Sequence, residues 1–65
     1  DTLEPVPCLI GFMLVIGNFQ RERQSVTLPA EVENILLNNY PDMKLEGKEL
    51  ILEGYQAVVL EMKQN

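Results

Sequence analysis

At 65 residues the chain has room for one small domain, where a typical domain runs to roughly 100–200 residues, and it is too short for an autonomous large-cleft enzyme. Ten acidic against five basic residues give a formal charge of −5, the wrong sign for a surface that neutralises phosphates, so nucleic acid and anionic membrane are not expected partners. With 46% hydrophobic and 23% charged residues, the composition is that of a globular domain rather than a disordered chain.

The acidic start, Asp1-Thr2-Leu3-Glu4, is unlike a signal peptide, and an opening on Asp1 is expected from either processing or, more simply, excision of a domain from something longer. Glu4-Pro5-Val6-Pro7 carries two prolines that remove backbone donors and favour extended backbone. Residues 1–11 therefore read as a linker or edge segment ahead of a domain over residues 12–65. Cys8 is the single cysteine, which excludes an internal disulfide and favours an intracellular, cytoplasmic setting. With no histidine in the chain to lower its pKa, Cys8 reads as a packing residue or a bystander.

Phe12-Met13-Leu14-Val15-Ile16 is a continuous apolar run, short and partly β-branched, and predicts a central strand covered on both faces. It falls far short of the roughly 20 residues needed to cross a bilayer, so a soluble chain is expected. Gly11 and Gly17 flank it without a phosphate-cradling spacing and read as turn or bulge glycines. Gln20-Arg21-Glu22-Arg23-Gln24 is a polar tip leading into Ser25-Val26-Thr27-Leu28, where Val26 and Leu28 alternate inward before Pro29 ends the ladder. This predicts a hairpin back to the first strand. Arg21 and Arg23, without an aromatic platform, read as a solvated turn.

Residues 29–40 are ambiguous on local signals. Pro29 and Ala30 followed by Glu31 and Glu33 resemble a first helical turn, with Val32, Ile35, Leu36 and Tyr40 at helical spacing; Ile35-Leu36-Leu37 before Asn38-Asn39 and Tyr40-Pro41 fits a short strand entering a turn equally well. Turns are then expected at Pro41-Asp42, Glu46-Gly47-Lys48 and Glu53-Gly54. Between them Leu50-Ile51-Leu52 and the run from Tyr55 to Met62 are expected to form a final hairpin. Short strands between turn signals predict an all-β fold, a small antiparallel β-sandwich-like domain, with a core of Leu14, Ile16, Phe19, Val26, Leu28, Leu37, Leu50, Leu52, Val59 and Leu60. Because residues 12–16 and 57–60 are apolar on both alternating faces, one sheet face is expected to be left exposed.

The chemistry available is thin. Histidine and tryptophan are absent and Ser25 is the only serine, which leaves no Ser-His-Asp constellation and no Cys-His pair. The scattered acids Glu31, Glu33, Glu46, Glu49, Glu53 and Glu61 read as solvated surface. Asp42-Met43-Lys44-Leu45-Glu46-Gly47 lacks the alternating oxygen ligands of a calcium loop, so neither metal nor cofactor is expected. Glu31/Glu33 and Glu49/Glu53 are the carboxylate pairs that acid/base work would draw on, but such work needs a cleft that raises one pKa. Phe12, Phe19, Tyr40 and Tyr55 are expected to serve the core ahead of any sugar platform.

Four segments in order, residues 14–19, 25–29, 36–40 and 50–60, with Asn18-Phe19, Asn39-Tyr40 and Tyr55-Gln56-Ala57 in place, resemble the C-terminal β-domain of family 13 glycoside hydrolases. Within that family the resemblance is to the oligo-1,6-glucosidase, dextran glucosidase and trehalose-6-phosphate hydrolase branch, and it covers residues 12–62. It implies a strand over residues 36–40, resolving the ambiguity above. It also implies a non-catalytic accessory domain of an α-glucosidase-type enzyme that hydrolyses α-glucosidic bonds in oligosaccharides. In that family the catalytic carboxylates sit on a TIM barrel, and none of their motifs occurs here, so no catalytic residue carries over. The implied partner is the barrel of the same polypeptide, on which the domain packs and which it stabilises. Two departures stand out: Gly54 replaces the family's usual proline, loosening that turn, and the residues before Phe12 do not match the family's preceding strand. The alternative is a free-standing β-module, binding carbohydrate through Tyr40 and Tyr55 or a protein through a strand edge.

Overall fold

The structure is a computed structural model that describes residues 7–64; most of the proline-bearing stretch proposed as a linker, residues 4–6, lies outside the described residues. Seven strands follow one another: β1 (Cys8–Ile10), β2 (Met13–Gly17), β3 (Gln24–Thr27), β4 (Val32–Asn38), β5 (Lys44–Glu46), β6 (Glu49–Leu52) and β7 (Ala57–Met62). They form two antiparallel sheets, one ordered β1-β2-β7-β4 and the other β3-β6-β5. The all-β, sandwich-like expectation is met. The ambiguous segment holds a strand, over Val32–Asn38 rather than the expected 36–40, with Asn39 and Tyr40 in the bend that follows: pairing β4 along β7, with two register shifts, satisfies its backbone through a long-range partner that local periodicity does not report.

The two tight hairpins share a device. Gly11-Phe12 joins β1 to β2 and Gly47-Lys48 joins β5 to β6, and each connection opens on a glycine at positive φ, 62° and 60° respectively. A two-residue hairpin needs that backbone at its first central position, and glycine supplies it without a Cβ penalty. Gly17, by contrast, is the last residue of β2, not a turn.

Both predicted long hairpins are absent. β2 and β3 lie in different sheets, and so do β6 and β7; the chain between each pair crosses over the end of the sandwich. Alternating apolar residues fit a strand's face but do not name its partner, which is why adjacency in sequence misled here.

The core consists of Leu14, Ile16, Val58, Leu60 and Met62 from the four-stranded sheet, Leu50 and Leu52 from the other, and Leu28 beyond β3; Val26, Val32 and Leu45 pack partly buried around them. Three expected core members are corrected. Phe19 and Leu37 are 78% and 68% exposed, and Val59 is half-buried on the outer face. Alternation explains all three: Leu14, Ile16 and Asn18 point inward, so Phe19 points out, while Val58 and Leu60 point inward, so Val59 and its neighbour Leu37 point out. For the same reason β2 is covered on one face only. The aromatic residues expected in the core are mostly outside it, with Phe12, Phe19 and Tyr55 exposed and only Tyr40 half-buried.

Candidate functional site

Two features dominate the surface: a loop cluster at one end of the sandwich, closed by buried amides, and the outer face of the four-stranded sheet. The cluster is built from the residues that carry the family resemblance. Asn18 is buried, and its Nδ2 donates to the carbonyls of Glu22 (2.7 Å), Glu53 (2.9 Å) and Leu52 (3.3 Å), while its Oδ1 accepts from the Gln20 amide at 3.0 Å. One side chain thus ties the crossover after β2 to the end of β6, bridging the two sheets. Gln56, equally buried, accepts from the Glu53 amide at 2.9 Å and donates from Nε2 to Asn38 Oδ1 (2.9 Å) and the Asp42 carbonyl (3.1 Å). Asn39 donates to the Tyr55 carbonyl (3.0 Å) and accepts from the Ala57 amide (2.8 Å), and the Tyr40 hydroxyl donates to the Gly54 carbonyl. Among the described residues no buried side-chain polar atom lacks a partner, as a low-dielectric network requires to be favourable.

The loop at Gly54 is tight, not loose. A Cβ on Gly54 would stand 2.1 Å from the Arg21 carbonyl oxygen, so glycine is required for the two loops to touch. The next residue, Tyr55, has φ of 60°, a left-handed backbone that costs a side-chain-bearing residue about 1–2 kcal/mol. It is held there from both sides, its amide donating to the Gln20 carbonyl at 3.0 Å and its carbonyl accepting from Asn39.

On the rim of this cluster Glu53 accepts from Lys44 Nζ at 2.7 Å and from Arg23 Nε at 3.2 Å. The Lys44 and then the Arg23 hydrogen bonds hold its carboxyl below the usual carboxylate range. A folded-state pKa that is depressed contributes stability above the unfolded value, near 4.3, and loses it as pH falls through the folded one. Glu53→Gln is therefore expected to be less stable than the parent at neutral pH, with the gap closing on acidification below about pH 4; urea melts at several pH values at low salt would show it. A gap that stays constant with pH would contradict it. Both cations are more than half exposed, so the gap is small and shrinks with salt.

The other acids do not assemble. Glu49 accepts from Ser25 and Thr27 on the outer face of the three-stranded sheet, apart from Glu53, and Glu31 lies 3.6 Å from Lys63. Among the described residues no group of three or more side chains suits a metal ion. Among the described residues no acid, base and nucleophile are brought together.

The outer face of the four-stranded sheet is apolar. Cys8, Val15, Val59 and Leu37 stand side by side across all four strands, and Ile10 and Met13 form the next row, ending on Glu61 and Asn34. Ile10, Met13, Val15 and Leu37 are 40–68% exposed. Phe19 extends the patch, its ring lying across Gly17 with Cζ 3.4 Å from where a Cβ there would stand, near Ala57. The corresponding face of the three-stranded sheet carries Ser25, Thr27, Lys44, Glu46 and Glu49, with Ile51 its one half-buried apolar member. That asymmetry matters, because a contiguous apolar sheet face rimmed by polar residues is the mark of an interaction surface. Sequence reasoning reached the exposed face through its two-sided apolar strands; it quoted Asn18 and Gln56 only as motif letters and missed their work as buried ties between loops.

Comparison with known proteins yields one finding. Residues 12–59 match the family model described as the alpha-amylase SusG C-terminal domain. No curated protein and no solved structure matches the chain. The match takes in the amide network, the Gly54–Tyr55 loop and the β2-β7-β4 part of the apolar face apart from the end of β7. By that span of most of its length, the chain belongs to the C-terminal domain family of the SusG alpha-amylase, a C-terminal domain of the alpha-amylase class.

Proposed function

We propose that this domain is the non-catalytic accessory domain of an alpha-amylase-family glycoside hydrolase, and that it docks on the catalytic domain of the same polypeptide through the outer face of the β1-β2-β7-β4 sheet. The observation that carries the reading is the asymmetry of the two outer faces, one polar and solvated, the other an apolar row from Cys8 to Leu37. Membership of a C-terminal domain family supplies the occupant. The domain's contribution is stability: covering this face removes apolar area from water at about 25 cal/mol per Å² and so couples the unfolding of the two parts. Hydrolysis of α-glucosidic bonds in oligosaccharides then belongs to the catalytic domain, and an α-glucosidase-type specificity agrees with the motif resemblance.

The test places one charge on each face of the complete polypeptide. Leu37→Lys should lower its thermal midpoint by several degrees, because it desolvates an ammonium against an apolar contact, whereas Ser25→Lys on the opposite sheet should leave it unchanged. Equal and negligible effects of the two would sink the docking face. A natural chain without any catalytic domain would sink the accessory role itself and leave a free-standing module.

A further inference from the structure

Tyr55 is the point on this surface where the backbone and the side chain are at odds. Its φ of 60° is a glycine conformation, the residue is 61% exposed, and its backbone is clamped by Gln20 and Asn39 irrespective of the side chain. Glycine at this position would keep both clamps and remove the strain. An exposed aromatic ring kept in an unfavourable backbone is the pattern of a side chain serving a ligand rather than the fold. Tyr55 lines a depression together with Arg21, Asp42, Lys44 and Glu53. Among the described residues Arg21 forms no ion pair, while Lys44 and Glu53 are fixed on each other. The depression thus offers a planar aromatic face beside charged donors and acceptors. Tyr40, although it lines the same depression, is half-buried with its hydroxyl committed to the Gly54 carbonyl, so it supports the loop and is not a second platform.

We infer that Tyr55 and the depression beside it form a surface subsite for an α-glucan chain, the ring stacking on the apolar face of one glucose unit while Arg21, Asp42 and Lys44 meet its hydroxyls. A sugar fits this combination better than an apolar or a phosphorylated ligand does. The ring presents a flat apolar surface, and the surrounding charges balance, Arg21 and Lys44 against Asp42 and Glu53, so the depression has no net positive charge to hold a phosphate. The glucan as ligand class rests on the proposed function, since it is the substrate of the enzyme class to which the domain family is attached.

The experiment uses the complete polypeptide with its catalytic carboxylates replaced by amides, electrophoresed in native gels with and without soluble starch or dextran, and compares the parent with Tyr55→Gly and Tyr55→Phe. Retardation by either glucan that falls at least about threefold in Tyr55→Gly and is retained in Tyr55→Phe is expected, with Tyr55→Gly melting no lower than the parent. The starch and dextran arms separate an α-1,4 from an α-1,6 chain as the source. Equal retardation of all three proteins, or none in the parent, overturns the subsite. A melting temperature that drops in Tyr55→Gly without a change in retardation also overturns it and assigns the ring to a packing contact. Hydrolysis assayed on the chain with its carboxylates intact keeps the two readings apart: an inactive chain counts against the proposed function, whereas an active chain whose retardation ignores Tyr55 counts against the subsite alone.

Discussion

Asn18→Asp, which exchanges an amide for a carboxylate with almost no change in volume, is expected to cost about 3 kcal/mol or more of folding free energy at neutral pH. Three backbone carbonyls, those of Glu22, Leu52 and Glu53, receive the Asn18 amide, and a carboxylate would present them with an acceptor carrying charge in a site that water does not reach. Asn18→Ala, which leaves the same carbonyls unmet but adds no charge, should cost less, about 2 kcal/mol. The two variants should converge as pH falls and the new carboxyl takes up a proton it can donate. Against a total of about 3–10 kcal/mol for a chain of this length, the aspartate variant stands near the edge of folding. Urea denaturation of the three proteins at neutral and acidic pH measures all of this. An aspartate variant as stable as the parent would mean that Asn18 does not tie the sheets together.

Gly54→Ala is expected to be the second severe change, at about 2–3 kcal/mol, although alanine is the smallest addition possible. The new Cβ would meet the Arg21 carbonyl oxygen at 2.1 Å and its carbon at 2.8 Å, and a peptide group cannot rotate away as the end of a side chain can. Relief requires the crossover after β2 to lift, which would pull on the Tyr55–Gln20 bond and on the Asn18 contacts at once. Gly54→Pro, the residue that the resembling enzymes carry, is expected to do no better here, because its ring adds the same Cβ. Gly11→Ala and Gly47→Ala provide the contrast: both positions are open in space but left-handed in backbone, so each should cost only about 1 kcal/mol. Thermal melts of the four variants rank them, and a Gly54→Ala as mild as the other two would contradict the close approach of the loops.

The division between what was legible in the sequence and what was not follows the range of the interactions. Strand positions were readable because an apolar, β-branched run such as residues 13–16 suits a pleated face, and the turn at Gly47 was readable because glycine there answers a local backbone demand. Strand partners were not, because nothing in residues 24–27 distinguishes pairing with β2 from pairing with β6. The face on which a residue falls depended on one such unknown. Asn18 looks like a loop residue, yet it continues the inward row of Leu14 and Ile16, and that one assignment sends Phe19 outward. The exposed apolar face was legible in outline, since two apolar strands had more hydrophobic surface than one core could use. The loop cluster was legible only as a resemblance: Asn18, Asn39, Tyr40 and Gln56 meet across gaps of up to 38 positions in the chain, the distance from the Asn18 amide to the Gln56 carbonyl it donates to, and their reason for being there is a set of carbonyls that no local pattern reveals.

The most direct test of the docking account uses the one cysteine as a reporter. Cys8 is exposed at the edge of the apolar row, in register with Val15, so its thiol reads whether that face is covered. In the complete native polypeptide the reaction of this thiol with an aromatic disulfide reagent, located by peptide mapping, should be at least about tenfold slower than in the urea-unfolded chain. A thiol that reacts as fast in the native polypeptide as in the unfolded one would show the face open to water and contradict the account.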